Sequence, residues 1–229
     1  MHFFKRLIFF YFARRVTMFP WVIKLSHKMI NSTEAIKNLA ESVLQLKEKH
    51  QKVVLVISKD ESSSVACTFR EFQITFEIIQ IEDLNSINSF AISNHFTSLN
   101  SVVLIEVSSF DTLGDRVASS LASILGAKIL IFASEERGIL DLNELPYDSL
   151  TLDQLRILMN KGGITNGMLQ KSRCIESALI NGVKKVLVAH ALEIKDLIEN
   201  KSTGTICVEM GRLDSVMKLK GGESMYAVL

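Results

Sequence analysis

Residues 21–57, WVIKLSHKMINSTEAIKNLAESVLQLKEKHQKVVLVI, contain two short apolar runs separated by an amphipathic segment. The runs at 21–25 and 53–57 have the length and the β-branched content of buried strands. Between them, Ile36, Leu39 and Val43 recur at helical spacing, and Asn31 with Glu34 predicts a capping box at the start of that helix. A strand, a helix and a strand in this order predict a parallel βαβ unit with a right-handed crossover.

The rest of the chain continues to alternate strands with helices. Further strands are predicted at 72–81, 101–107, 128–133, 186–189 and 205–208, and helices at 115–125, 151–161, 166–181 and 192–199. The Ser- and Asn-rich stretch at 82–100 predicts at most one weak helix, and 211–229 a terminal hairpin or loose end. This order predicts an α/β fold, a three-layer α/β/α sandwich around a mostly parallel sheet, with ligands beyond the C-terminal strand ends.

Composition narrows the range of partners. The 26 basic and 25 acidic residues among 229 give no field that would attract nucleic acid. Cys67, Cys174 and Cys207 are widely spaced, so we expect core positions in a reducing compartment, and we predict no set of metal ligands.

The first 17 residues are basic and contain a short apolar run at 7–13. Seven residues are too few to span a bilayer, so we predict no membrane partner. We interpret residues 1–17 as an extension ahead of a working start at Met18, which predicts a cytoplasmic protein. The alternative is a targeting segment, which would make the protein organellar.

Three charged residues stand out by their surroundings. Lys24 interrupts an apolar strand, and the plain alternative is an edge-strand lysine whose ammonium reaches water. Asp115 follows Gly114 in what we predict to be the first turn of a helix, where an acid is also common without a function. Lys171 follows a glycine-containing turn that could grip phosphate with backbone N–H groups, although no Walker A sequence is present.

Read together, residues 111–210 resemble the nucleotide-binding half of the amino acid kinase family, and most of all its acetylglutamate kinases. The motifs that carry this resemblance occur in the family's order. They are Gly114-Asp115 with Ala118 and Ser119; Ser134-Glu135-Glu-Arg-Gly138-Ile-Leu-Asp141; Gly167-Met168-Leu-Gln-Lys171; Gly182-Val-Lys-Lys-Val; and Gly204-Thr205-Ile206. Residues 22–56 are similar to the family's first βαβ unit, so residues 18–229 are predicted to form one domain, with an acceptor-side half at 18–110.

The resemblance implies roles for particular residues. Lys24 and Lys171 would neutralise charge on a transferred phosphoryl group, and Asp115 would hold both lysines. ATP and Mg²⁺ would be the cofactors, a small amino-acid derivative the acceptor, and a homodimer an option. The nucleotide site would comprise Ser134, Glu135, Gly138, Gly167, Met168 and Lys171, and the acceptor site Ser26, His27 and Ser58.

The acceptor-side half departs from the family. Ser26-His27 and Ser58-Lys59-Asp60-Glu61 stand where the family has glycines, and all 11 glycines lie at or after Gly114. The segment between the second strand and Asp115 is about half the family's length, and Arg70 is the nearest counterpart of the family's substrate arginine.

Three functions therefore stay open. The first is ATP-dependent phosphorylation of a carboxylate, N-acetylglutamate in arginine biosynthesis. The second is a catalytically impaired nucleotide-binding or regulatory protein. The third is a glutamate 5-kinase-like enzyme, since residues 110–116 resemble that branch.

Overall fold

The computed structural model describes residues 19–30, 32–87, 102–108, 111–141, 143–164, 166–199, 201 and 203–209. Within these ranges one sheet has eight strands, in the order β3-β4-β2-β1-β5-β7-β8-β6. Neighbouring strands are parallel except β7 and β8. The strands are β1 Trp21–Leu25, β2 Val53–Ser58, β3 Phe76–Ile81, β4 Val102–Val107, β5 Ile129–Ser134, β6 Ser149–Thr151, β7 Lys185–His190 and β8 Thr205–Val208.

Helices cover both faces of the sheet. The helices are α1 His27–Ile30, α2 Thr33–Glu48, α3 Ser62–Glu71, α4 Asp111–Ile124, α5 Leu152–Asn160, α6 Asn166–Ile180 and α7 Ile194–Ile198, with 3₁₀ turns at Lys59–Glu61, Leu84–Ser86 and Ala191–Glu193. Apolar residues of α4, α5 and α6 pack on one face, and those of α2, α3 and α7 on the other. The predicted three-layer α/β/α sandwich with a mostly parallel sheet is confirmed.

Strand β1 lies at the centre of this sheet, between β2 and β5. Its side chains alternate between the two layers, so Val22 joins the core under α4 and α6, whereas Ile23 joins the core under α2. Lys24 therefore points to the α4 and α6 face and lies beside Val56 and Phe132 on the neighbouring strands.

Several local features differ from the predictions. The N-cap of α2 is Ser32, whose hydroxyl accepts a hydrogen bond from the Ala35 amide, and not Asn31, which lies outside the described residues. Helix α3 and strand β6 were not predicted. Strand β3 begins at Phe76 rather than at residue 72, because Gln73 has a φ of 55° and ends the preceding helix.

The start of α4 was also predicted wrongly. The helix begins at Asp111, so Asp115 lies in its second turn rather than its first. Free backbone N–H groups are confined to the first turn, so they do not explain why this acid is buried. The stretch 88–100 and the tail 210–229 lie outside the described residues.

The three cysteines differ in how deeply they are buried. Cys174 and Cys207 are buried as predicted, whereas Cys67 on α3 is exposed, which contradicts the expected core position. Across the described ranges, no helix is both long and apolar enough to cross a membrane.

Candidate functional site

A buried ion pair connects the central strand to the helix above it. The Lys24 Nζ atom lies 3.0 Å from Asp115 Oδ1, and the two side chains are 7% and 10% exposed. The contact is an ion pair rather than an aligned hydrogen bond. An edge-strand lysine reaching for water is therefore the wrong interpretation of Lys24, since β1 is central and the ammonium faces α4. A buried charge pair costs desolvation energy, which makes this place a candidate site.

Gly114 makes room for the lysine. A Cβ atom at Gly114 would lie 3.1 Å from Lys24 Cε, closer than most side-chain contacts. Glycine in a helix interior lowers stability by about 0.5–1 kcal/mol relative to alanine. Glycine at this position therefore costs some helix stability, but it allows α4 to lie close to the Lys24 side chain.

Lys171 is held by a different acid from the one predicted. It lies in the second turn of α6, its side chain is 10% exposed, and its Nζ atom is 3.6 Å from Glu136 Oε2. Across the described residues, Asp115 pairs with Lys24 and Lys171 with Glu136, so no direct ion pair joins Asp115 to Lys171. The prediction that Asp115 fixes both lysines is seen only for Lys24.

The pKa of Glu136 reflects this pairing. Partial burial raises the pKa of Glu136, but the Ser134 hydroxyl and the positive charge of Lys171 together lower it by more. The net change in this pKa is therefore downward. Glu136 is therefore ionised at neutral pH, and it supplies the negative charge beside Lys171.

The pKa of the Cys174 thiol responds to charges from both lysines. Burial raises its pKa to about 11, helped by the charge of Asp115 and opposed by those of Arg116, Lys24 and Lys171. Charges act on a thiol in this way only at short range. Lys24, Asp115, Arg116 and Lys171 are therefore all near enough to Cys174 for their charges to act on its thiol.

The loop after β5 lies beside this cluster. Ser134 is 2% exposed, and in the described part of the chain its hydroxyl makes no hydrogen bond of regular geometry, although it approaches Glu136 closely enough to lower that pKa. Gly138 has a φ of 155°, and a Cβ there would lie 2.5 Å from Thr205 Oγ1. The Thr205 hydroxyl also accepts a hydrogen bond from the Ile139 amide at 2.8 Å. Gly138 therefore lets the loop pack against β8.

The other predicted nucleotide residues lie on exposed surface or at its border. Glu135 is exposed, Gly167 is exposed near the start of α6, and Met168 is half-buried. A Cβ at Gly167 would meet nothing within 4 Å, so packing does not require glycine there. These three residues remain predictions as nucleotide contacts.

The predicted acceptor residues lie at the C-terminal ends of β1 and β2. The Ser26 amide donates to the Ala133 carbonyl at 2.9 Å, and His27 begins α1 with an exposed side chain. The Ser58 hydroxyl is buried, with no hydrogen-bond partner among the described residues. Because Ser58 alternates in step with Val56, it lies on the same sheet face as Lys24.

The turn after β2 is built without glycine. Ser58 has a φ of −73° and leads directly into the 3₁₀ turn Lys59–Glu61. The backbone at Ser58 therefore needs no left-handed conformation, which explains how the chain tolerates a serine where the family has glycine.

A buried glutamate on the acceptor side was missed at the sequence level. Glu106 is 7% exposed at the C-terminal end of β4, where Ser62 donates to its Oε1 and Gln80 donates to its Oε2 at 3.0 Å. Its strand neighbour Ile57 packs in the α2 and α3 layer, so this cluster lies across the sheet from Lys24. The signal in the sequence was an acid inside an apolar strand, the same signal that marked Lys24.

Arg70 does not serve as the substrate arginine in this structure. Its guanidinium lies 5.7 Å from the centre of the Phe76 ring, at the first residue of β3. That ring is at the opposite end of the strands from the predicted ligand edge, so this prediction was wrong.

Metal binding by protein groups alone finds no support here. Within the described ranges, no three His, Cys, Asp or Glu side chains are grouped as metal ligands. Magnesium in phosphoryl-transfer sites is held largely by substrate phosphates and water, so a nucleotide-borne ion is the form that these residues could accommodate.

Sequence comparison finds partial relatives. The chain is 34% identical over 97 residues to the acetylglutamate kinase of Helicobacter hepaticus, which is 42% of this chain and 35% of that protein. It is 36% identical over 86 residues to the acetylglutamate kinase of Bacillus velezensis, or 36% of this chain and 33% of that protein. The matches thus span about a third of these relatives' length. No protein-family model matches the chain.

Solved structures share the fold at low identity. N-acetylglutamate synthase from Neisseria gonorrhoeae superimposes with a TM-score of 0.71 at 12% identity, over 90% of this chain and 65% of that one. Carbamate kinase from Giardia lamblia bound to AMP-PNP gives a TM-score of 0.67 at 10% identity, over 85% of this chain and 100% of that one.

Fold and site together define an α/β protein with two buried lysines, Lys24 on the central strand and Lys171 on helix α6. The partial sequence matches and the fold describe the chain more narrowly: its fold is amino acid kinase-like, and about 40% of the chain is similar in sequence to acetylglutamate kinases. The predicted family resemblance is confirmed.

Proposed function

We propose that the chain is an ATP-dependent phosphotransferase that acts on a carboxylate acceptor, with N-acetylglutamate as that acceptor, in arginine biosynthesis. The observation that carries the proposal is the buried Lys24–Asp115 pair, 3.0 Å apart; the charges of this pair and of buried Lys171 all act on the pKa of the Cys174 thiol. Two buried ammonium groups at one place suit a polyanion such as triphosphate better than any neutral ligand.

For phosphoryl transfer to a carboxylate, the protein mainly has to position the two reactants and stabilise negative charge. A carboxylate is ionised at neutral pH, so its oxygen can attack the γ-phosphorus without a general base. The new O–P bond forms as the bond to the β-phosphate oxygen breaks, which gives an acyl phosphate and ADP. Lys24 and Lys171 would stabilise the charge on the transferred group and the leaving group.

The remaining groups would orient the donor. Asp115 would keep the Lys24 ammonium in place through the reaction, and the Ser134 and Ser58 hydroxyls, which lack regular hydrogen bonds among the described residues, could donate to phosphate oxygens. Magnesium bound to the phosphates would supply further charge neutralisation. The homodimer and the cytoplasmic location stay predictions.

The second candidate function is nucleotide binding without turnover. It is favoured by the acceptor side, where a serine stands at the end of β2, Arg70 stacks on Phe76 away from the predicted site, and Glu106 buries a negative charge. A binding or regulatory protein would keep the donor cluster and need no acceptor contacts.

A coupled ADP-release assay separates these functions. Wild-type protein is tested with N-acetylglutamate, glutamate and carbamate, alongside Lys171→Ala and the exposed control Lys201→Ala. We expect turnover with N-acetylglutamate, a loss of roughly 100-fold or more in Lys171→Ala, and normal rates in Lys201→Ala. An ATP-dependent rise in melting temperature with no turnover above Lys171→Ala would sink the kinase proposal and favour the binding one. Turnover with glutamate instead would favour the glutamate 5-kinase alternative.

A further inference from the structure

One acid beside the candidate site has no role in the family resemblance. Glu136 lies within the Ser134-to-Asp141 motif, and its carboxylate is 3.6 Å from the Lys171 ammonium. We infer that Glu136 is an exchangeable counter-ion, a positioning residue that holds Lys171 in the ligand-free protein and is displaced by the phosphates of a bound nucleotide. This inference rests on the proposed function.

The charges around the candidate site determine how strongly a nucleotide can bind there. The cluster holds two ammonium groups, Lys24 and Lys171, each within ion-pair distance of one carboxylate, Asp115 or Glu136. Each of these two ammonium groups therefore already has a carboxylate beside it. A triphosphate that enters unchanged surroundings meets both carboxylates as well as both ammonium groups, so its binding is strengthened when one of the two acids moves away.

Of the two acids, Glu136 can move away from its lysine and Asp115 cannot. The Asp115 side chain is 10% exposed and fixed on helix α4, so moving it away from Lys24 would bury it elsewhere. The Glu136 side chain is 45% exposed and belongs to a loop, so it can turn into water and regain hydration. Asp115 is thus the permanent partner of Lys24, and Glu136 the replaceable partner of Lys171.

Lys171 stays in place when Glu136 moves into solvent. Its side chain is 10% exposed on a 15-residue helix, so it cannot follow Glu136 into solvent. An ammonium that loses its carboxylate in such surroundings gains most from a new anion. Glu136 therefore keeps Lys171 compensated until phosphate arrives, and it weakens nucleotide binding by the free energy of the pair that must break.

The test is a double-mutant cycle on nucleotide affinity. Calorimetry measures the Kd of a non-hydrolysable ATP analogue with Mg²⁺ for wild type, Glu136→Gln, Lys171→Met and the double variant. Glu48→Gln, at the exposed C-terminal end of α2, is the matched control for the same change in net charge. We expect Glu136→Gln to bind about threefold to fivefold more tightly, Glu48→Gln to bind normally, and the gain to fall by more than half in the Lys171→Met background.

Two further measurements make the role specific. Adenosine, which carries no phosphate, should bind wild type and Glu136→Gln equally. Carboxyl NMR should show the titration midpoint of Glu136 rising in Lys171→Met, and Glu136→Asp should restore part of the wild-type Kd.

The contrary outcomes are distinct. Weaker binding in Glu136→Gln would overturn the inference and make Glu136 a direct ligand of the nucleotide or its metal. An equal gain with and without Lys171, or a Glu136 midpoint that does not move, would also overturn it. Wild-type binding with no gain in Glu136→Gln defeats the inference alone, whereas no binding by any variant defeats the proposed function.

Discussion

Asp115→Ala removes the carboxylate that lies 3.0 Å from the Lys24 ammonium. The two side chains are 7% and 10% exposed, so water replaces the lost carboxylate poorly. Removing one member of such a buried pair costs roughly 3–5 kcal/mol. Since the free energy of unfolding of a domain is typically about 5–15 kcal/mol, we expect Asp115→Ala to lose on the order of a third of it.

Urea unfolding at pH 7 measures this loss. The midpoint should fall in Asp115→Ala while the m-value stays constant, because the surface exposed on unfolding is unchanged. A double-mutant cycle with Lys24→Met isolates the coupling between the two side chains. The Lys195–Glu41 pair is the matched control, because its atoms are closer, at 2.7 Å, but both side chains are 42% exposed. We expect a coupling there of at most about 1 kcal/mol.

A coupling between Lys24 and Asp115 no larger than the control coupling would refute the burial argument. Replacing both charges at once, as Lys24→Met with Asp115→Leu, should restore most of the stability lost by Asp115→Ala, because no unpaired charge is then buried. A double variant as unstable as the single one would show that something other than charge burial is at work.

Three other predictions concern Gly138, the cysteines and Glu136. Gly138→Ala should lower the free energy of unfolding by roughly 1–3 kcal/mol, because its Cβ would lie 2.5 Å from Thr205 Oγ1. With a thiol reagent at pH 8, exposed Cys67 should react first, since a pKa of about 11 leaves only about one thousandth of Cys174 as thiolate. The pKa of Glu136 is below 4.5 in the folded chain, so its stabilising contribution is present above that pH and is lost as the pH falls through the lowered pKa. Glu136→Gln should therefore reduce the difference in stability between pH 7 and pH 3.

A matched glycine variant serves as the control for Gly138→Ala, and each of the three predictions can be contradicted by a specific result. Gly163→Ala places a Cβ 3.5 Å from Leu158, an ordinary contact, and should change stability far less than Gly138→Ala. Equal losses would contradict the close-packing argument. Rapid labelling of Cys174 in folded protein would mean that its thiol is neither buried nor raised in pKa. An unchanged acid response in Glu136→Gln would remove the pairing with Lys171.

The parts of the fold that the sequence predicts well are those with continuous apolar runs. Strands β1, β2 and β5 lie close to their predicted positions because their side chains are buried on both faces, and because their short length and β-branched content favour a strand over a buried helix. Helix α3 was missed because its sequence, SSSVACTFRE, is rich in residues with weak helix propensity. Val65 and Phe69 bury one face of that helix, and this tertiary contact outweighs the local preference.

The site could be predicted only in part, for a related reason. Lys24 and Asp115 were recognisable as charges in apolar or helical surroundings, and the structure brings them together. Glu136 gave no signal of its own, since its contact with Lys171 depends on how a loop approaches a distant helix. Cys174 was correctly predicted to be buried, but sequence spacing contains nothing about the charges that surround its thiol.

The central claim is that the cluster of Lys24, Asp115 and Lys171 receives the phosphates of a nucleotide. A crystal structure of the full chain with a non-hydrolysable ATP analogue and Mg²⁺ tests this most directly. The account predicts terminal phosphate oxygens within hydrogen-bond distance of Lys24 Nζ and Lys171 Nζ, with the Lys24–Asp115 pair intact and Glu136 turned away. An analogue bound elsewhere, or phosphates that contact neither lysine, would contradict it.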